Sequence, residues 1–185
     1  MHIFLFILLS FFLNQIPEKI EEVTIKDLDG KSFSIEPSLH KKGFVTLFMS
    51  PECPLCQSYS LTIRNLAATY QKVGIKFYAI IPGKTYSKKE IIAFKHKYKL
   101  HDLAFYVDPN FDLARFAQAS ITPEVAVYTP AGEKVYQGRI DNWAYELSKK
   151  RKVITEFDLA NVLEKLYLSQ QVKPYKTRAI GCFIN

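Results

Sequence analysis

The chain has 185 residues, 48% of them hydrophobic, three cysteines and a net charge of +7. That length suits one domain plus a leader, the apolar share supplies a real core, and three cysteines are too few for a disulfide scaffold. The basic residues are scattered over Lys41-Lys42, Lys84 to Lys99, Lys149 to Lys152 and Lys173 to Arg178. No nucleic-acid motif accompanies them, so they read as solvated faces and loops, with attraction to acidic partners or a membrane surface as the alternative. No repeat period is visible, which excludes a solenoid.

Ile3 to Leu13 is almost wholly apolar. Such a run matches the core of a signal peptide and falls short of the about 20 residues that span a bilayer. Its n-region carries only His2, and Asn14-Gln15-Ile16-Pro17 holds no small-x-small cleavage site. Residues 1–17 are therefore read as a signal peptide or an uncleaved N-terminal anchor that would associate with the membrane. A buried helix is the third reading. Residues 18–170 form the expected domain, and 171–185 a tail with Cys182.

Glu22 to Lys26 and Ser32 to Ile35 alternate around the turn Asp27-Leu28-Asp29-Gly30-Lys31, as a hairpin does. Phe44 to Met49 is a nearly continuous apolar run, as expected of a strand covered on both faces. A helix follows with apolar Leu61, Ile63, Leu66, Ala67, Tyr70 and Val73, and Gly74 stops it. Ile75 to Ile81 is a second central strand. Ser87 with Glu90 forms a capping-box pattern for the next helix. Leu103 to Val107 is a short strand, and Asp108-Pro109-Asn110 opens a brief helix, Phe111 to Ala117. Thr122-Pro123 precedes the strand Glu124 to Tyr128, where a proline cannot donate to a ladder. Lys134 to Ile140 is its hairpin partner. Asp141 to Val153 is a polar, basic loop around Trp143, in which Trp143 and Tyr145 cover the sheet edge or shape a partner groove. Thr155 is expected to cap the last helix, with the stripe Phe157, Leu159, Val162, Leu163, Leu166 and Tyr167. From Lys173 a flexible, extended tail is expected. Alternating strands and helices, closed by a hairpin and a helix, argue for an α/β mixed sheet with helices on both faces.

Ser50-Pro51-Glu52-Cys53-Pro54-Leu55-Cys56-Gln57 lies between the first central strand and its helix. Two thiols at a strand-to-helix junction put the first sulfur at the helix N-terminus. Exposed amides and the helix dipole there favour a thiolate. The two-residue spacer lets both sulfurs share the first turn, close enough for a small disulfide ring. This is a redox arrangement; half of a zinc site, or two ordinary buried cysteines, are the alternatives. Zinc would need two further ligands, and no second Cys-x-x-Cys or close Cys/His pair exists.

These residues, with Thr122-Pro123 ahead of a strand and the Gly132 hairpin, resemble the thioredoxin-like redoxin group. Its superfamily also holds the alkyl-hydroperoxide-reductase/thiol-specific-antioxidant proteins and exported thiol-disulfide oxidoreductases. The resemblance covers about Glu22 to Leu168. It implies a thioredoxin-like fold, a central mixed β-sheet flanked by helices, here with an N-terminal β-hairpin extension. It also implies that Cys53 attacks, Cys56 resolves and Pro123 is a cis-proline, with Ile121-Thr122 offering backbone to a bound peptide. Gln137-Gly138-Arg139-Ile140-Asp141 and the stretch Thr177 to Ile184 are similar to a subgroup of redoxin proteins that ends in a Gly-Cys motif. The sequence departs from thioredoxins in two places. Glu52 stands where they carry Trp, and Leu47 where they carry a buried Asp that accepts a proton. The Pro-x-x-x-Thr-x-x-Cys pattern of peroxiredoxins is missing before both Cys53 and Cys56.

The expected function is a thiol-disulfide oxidoreductase, outside the cytosol, reducing disulfides through a Cys53 mixed disulfide that Cys56 resolves. Its partners would be a protein or small-molecule disulfide and an external thiol electron donor; no cofactor or nucleic acid is implied. Glu124 is a candidate proton relay or an exposed strand-start carboxylate. Cys182 is a third redox thiol, an interchain partner or a packed small hydrophobe. A thiol peroxidase is one alternative function. A copper chaperone using Cys53, Cys56 and one of His40, His96 or His101 is another. The leader makes one expectation testable: a reporter fused after Lys31 is exported, and a reporter that stays cytosolic contradicts the reading.

Overall fold

The computed structural model describes residues 17–185; the apolar run Ile3 to Leu13 lies outside them. Among the described residues, no helix is long and apolar enough to cross a membrane. Among the described residues, a short 3-10 turn, Ile20–Glu22, precedes the hairpin β1 (Ile25–Asp27) and β2 (Ser32–Phe33). Asp27 Oδ1 holds its turn by accepting from the amides of Asp29 and Lys31, both at 2.9 Å.

Next come β3 (Phe44–Phe48), α1 (Pro54–Tyr70), β4 (Lys76–Pro82), α2 (Lys88–Lys97) and β5 (Ala104–Asp108). β3, β4 and β5 run parallel. α3 (Asp112–Ala117) and the short β6 (Ile121–Thr122) lead into the antiparallel strands β7 (Glu124–Tyr128) and β8 (Lys134–Gly138). β9 (Ala144–Glu146) and β10 (Lys149–Lys150) form a separate small hairpin. α4 (Asp158–Tyr167), β11 (Tyr175–Lys176) and β12 (Cys182–Phe183) complete the chain. The main sheet has the order β11-β8-β7-β3-β4-β5-β1-β2. The hairpin thus extends one edge, with β1 antiparallel to β5, and β11 closes the other edge parallel to β8.

β3 sits centrally because both its faces are covered. Successive side chains alternate across a strand, and Val45 and Leu47 enter one core cluster while Phe44 and Phe48 enter the other. The first cluster takes Ile63 and Ala67 of α1, Ile91 and Phe94 of α2, and Leu159, Val162 and Leu163 of α4. The second takes Leu113, Ala114 and Ala117 of α3, and Phe44 stacks on Tyr128 with ring centroids 4.8 Å apart. A continuous apolar run is the pattern such a doubly covered strand requires.

The capping box of α2 forms as the sequence indicates: Ser87 Oγ accepts from Glu90 N, and Glu90 Oε2 accepts from Ser87 N. The last helix differs from expectation. It begins at Asp158, and Thr155 caps nothing; Thr155 Oγ1 accepts from Asn142 Nδ2 at 2.7 Å, and its amide donates to Asn142 Oδ1 at 3.0 Å. Buried Asn142 outcompetes the helix end for this hydroxyl. The polar loop is also more ordered than its composition suggests. It folds as β9 and β10, with Trp143 edge-on to Tyr59 at 5.1 Å and Lys150 Nζ 4.5 Å from the indole centroid.

The tail is docked rather than loose. Thr177 N donates to Gln137 O at 2.9 Å, and Thr177 Oγ1 lies 2.6 Å from Tyr136 Oη. Tyr175 packs on Tyr136 with centroids 4.8 Å apart. Further on, β12 pairs antiparallel with β6. The core gives a direct stability test. Leu163→Ala, at a fully buried position of α4, is expected to cost about 2–5 kcal/mol by chemical denaturation. Leu168→Ala, at a position 51% exposed, is expected to cost under about 0.5 kcal/mol.

Candidate active site

α1 begins because Pro54 occupies its first position, where no amide donor is needed and φ is already helical. Cys53 is the N-cap residue, with Gln57 N donating to its carbonyl at 3.1 Å. Its sulfur therefore stands at the positive end of a 17-residue helix. Cys56 is on the first turn, fully buried, and its Sγ accepts from Ser50 N at 3.4 Å. Ser50 Oγ is 2.8 Å from Tyr86 Oη, which ties the approach to α1 to the loop before α2.

The facing wall is β6 and the start of β7, joined by a cis Thr122–Pro123 peptide bond. Cys53 Sγ, as a thiol, donates to Thr122 O at 3.0 Å. Cys182 Sγ donates to Cys53 Sγ at 2.7 Å. Positions remote in sequence thus converge: Cys53 and Cys56 on α1, Thr122 and Pro123 on the opposite loop, and Cys182 from the tail.

Electrostatics separate the three sulfurs. Hydrogen bonding from Cys56 is the main influence that lowers the Cys53 pKa to about 5; donation by Cys182 adds to it, and burial opposes both. The Thr122 carbonyl favours the protonated form, but the two thiol donors and the helix N-terminus outweigh it. Burial raises Cys56 well above an ordinary thiol, and the neighbouring Cys53 raises it further. Burial and then Cys53 push Cys182 up to about 12. The three sulfurs thus differ in acidity, with Cys53 the one that holds a thiolate most readily. Glu52 is exposed and its carboxylate accepts from Tyr86 Oη at 3.4 Å, so water and that hydroxyl screen its charge from Cys53.

Glu124, the candidate proton relay, is hydrogen-bonded within its own turn and to β8. Oε2 accepts from the amides of Ser120 and Ile121, at 2.9 and 3.2 Å, and Oε1 accepts from Gln137 Nε2 at 2.9 Å. The carboxylate is 6% exposed and braces the turn that carries Thr122. It is buried because it replaces missing backbone partners, which a strand-start carboxylate in water would not do. The histidines are used in other ways: His40 Nε2 is 2.9 Å from Tyr78 Oη in the second core cluster, and His96 and His101 sit ring to ring at 4.9 Å. Among the described residues, no group of three or more His, Cys, Asp or Glu side chains is arranged to hold a metal ion.

No protein-family profile matches the chain. A curated "Thioredoxin-like protein" of Haemophilus influenzae is 27% identical over 113 residues, which are 60% of this chain and 64% of that protein. A solved structure of an uncharacterised conserved protein from Geobacillus kaustophilus superposes with a TM-score of 0.74 at 20% identity, covering 93% of each chain. A secreted disulfide oxidoreductase of Mycobacterium tuberculosis superposes with a TM-score of 0.51 at 22% identity, covering 60% of this chain and 79% of that one. The fold is thioredoxin-like. It places a Cys-x-x-Cys pair at the head of the first long helix, facing a cis-proline loop.

Three contributors were not legible beforehand. Ser50 offers a backbone amide, which any residue would supply. Gln137 reaches Glu124 only because β7 pairs with β8. Gly181 stands inside the Gly-Cys motif, but its role depends on a contact with Thr122. The ionisation of Cys53 is directly measurable. Because its pKa is lowered, the thiolate persists down to mildly acidic pH and disappears as pH falls through about 5. Ultraviolet thiolate absorbance should show one such titration, absent in Cys53→Ser. Cys56→Ala, which removes the leading donor, should move the midpoint up towards the ordinary thiol value of about 8.5.

Proposed function

We propose that the protein is a thiol-disulfide oxidoreductase whose reactive group is the Cys53 thiolate and whose resolving group is Cys56. The single observation that carries this reading is Cys53 at the N-cap of α1, hydrogen-bonded by neighbouring thiols, opposite the Thr122-Pro123 loop. The thioredoxin-like fold supports it, as does the likeness to a protein titled a disulfide oxidoreductase.

In the reductive direction the Cys53 thiolate attacks one sulfur of a substrate disulfide. That S–S bond breaks, the other substrate sulfur leaves as a thiolate, and Cys53 is held in a mixed disulfide. The negative charge on Cys53 is then gone, which removes one cause of the high Cys56 pKa. Cys56 gives its proton to the substrate thiolate already released and attacks Cys53 Sγ. The second substrate thiolate leaves, and a Cys53–Cys56 disulfide remains for an external thiol donor to reduce. Thr122 offers backbone to an extended peptide, and Glu124 holds the turn that presents it. A groove of about 700 Å³, lined by Ile121, Glu124, Tyr145, Arg178 and Phe183 among others, runs along this wall. The apolar leader supports a location outside the cytosol, where disulfide substrates persist.

Turnover of a protein disulfide with dithiothreitol as donor tests the assignment. Cys53→Ser should abolish it, and Cys56→Ser combined with Cys182→Ser, which leaves no neighbouring thiol, should accumulate the mixed disulfide with the substrate. Equal, near-wild-type rates in both variants would remove the catalytic assignment.

A further inference from the structure

Cys53 is 1% exposed, although it is the sulfur that must meet a substrate. The neighbour in contact with it on the substrate side is the chain's own tail. β12 lies antiparallel on β6, with Cys182 opposite Thr122 and Phe183 opposite Ile121. This is strand addition to an exposed edge, the mode by which extended peptides commonly bind. We propose that the tail segment Gly181–Phe183 is a tethered occupant of the peptide-binding edge, and that Cys182 is a further catalytic thiol which displaces Cys56 from its disulfide with Cys53. The proposal rests on the dithiol reading above.

Three features fit the tail to this place. First, a Cβ on Gly181 would stand 2.0 Å from Thr122 O and 2.8 Å from Ile121 Cγ2, so the backbone can approach the edge only as glycine. Second, the root and the tip are held differently. Thr177 is fixed by the Gln137 carbonyl, the Tyr136 hydroxyl and the Arg139 amide, which donates to Thr177 Oγ1 at 3.2 Å. The tip has a two-residue ladder, a 3.4 Å bond from Thr122 Oγ1 to Cys182 O, and Ile184 N donating to Ser120 O at 2.9 Å. Phe183 itself is 75% exposed. Ile180, Cys182 and Ile184 also pack, partly buried, against the core clusters, so vacating the edge means breaking those contacts together with the two-residue ladder. Third, Cys182 Sγ already touches the sulfur it would bond to, at 2.7 Å.

The exchange needs no outside oxidant. In the Cys53–Cys56 disulfide form, the Cys182 thiolate attacks Cys53 Sγ. The Cys53–Cys56 bond breaks, the Cys53–Cys182 bond forms, and Cys56 leaves as a thiolate and takes up the proton Cys182 gave up. One disulfide and one thiol are present before and after. Oxidation of Cys53 also removes the negative charge that helps keep Cys182 protonated. The product locks the tail over the site. A thiol donor that reduces it restores the three free thiols, and the tail is then held on the edge by non-covalent contacts alone.

The test starts from reduced Cys56→Ser protein and oxidised glutathione, read by intact mass and by mapping of disulfide-linked peptides. Cys53 attacks glutathione disulfide and releases one glutathione; Cys182 then attacks Cys53 and releases the second. The expected product has lost two hydrogens, retains no glutathione and yields a Cys53–Cys182 peptide. The Cys56→Ser/Cys182→Ser double variant should retain one glutathione on Cys53. A Cys56→Ser protein that keeps glutathione on Cys53, with Cys182 free, would overturn the proposal while leaving the dithiol reading intact. A Cys53 that reacts in neither the wild type nor Cys56→Ser would overturn both. Gly181→Val in the Cys56→Ser background keeps every remaining thiol but lifts the strand. It should slow formation of the Cys53–Cys182 bond at least tenfold; closure at the parent rate would show that strand addition does not present Cys182.

Discussion

One buried sulfur organises the functional end of this molecule. Cys53 Sγ sits at the start of α1 and in contact with the Thr122 carbonyl, and it receives hydrogen bonds from two other thiols. An anion in such a place is costly unless several donors and a helix dipole converge on it. The fold supplies this convergence from separate directions. β3 delivers the chain to the helix start, β6 and β7 bring the facing loop, and the tail brings the third thiol. Each support is anchored in a packed region, so the geometry around the sulfur is set by the core rather than by the loop.

The central sheet explains why that geometry holds. β3 is buried on both faces and bonded to β4 and β7, so its end has little freedom. The loop from β3 to α1 is further tied by the Ser50 amide to Cys56 and by the Ser50 hydroxyl to Tyr86. On the opposite side, a buried carboxylate, Glu124, joins Ser120, Ile121 and Gln137 into one unit. Removing either partner from such a network would strand a buried polar group, which costs more than the bond itself contributes. The two walls that meet at Cys53 are thus held independently.

The position of Leu47 bears on the chemistry. It lies in the apolar cluster with Val45, Met49 and Val125, so this strand position supplies no carboxylate. Under the proposed dithiol chemistry, protons would move among the thiols themselves and the leaving thiolates. A third thiol beside the pair gives the site one more group able to take or hold a disulfide. The docked tail and the missing carboxylate are, in that sense, two sides of one local arrangement.

Much of this was legible from residue patterns. The period of the apolar residues and the punctuation by Gly and Pro located β3, α1, β4 and the β7–β8 pair, because alternation and helical spacing follow from which faces meet the core. The Cys53-Pro54-Leu55-Cys56 spacing at a strand-to-helix junction already placed a thiolate at a helix N-terminus, a local matter. The start of α4, the hairpin around Trp143, the bracing role of Glu124 and the docking of the tail were decided by tertiary structure alone. Each depends on a partner far along the chain: Asn142 for Thr155, Tyr59 for Trp143, Gln137 for Glu124, and Thr122 for Gly181 and Cys182. Local sequence determines which backbone shapes are cheap. Only the folded sheet decides which distant groups are close enough to share a hydrogen bond or a disulfide.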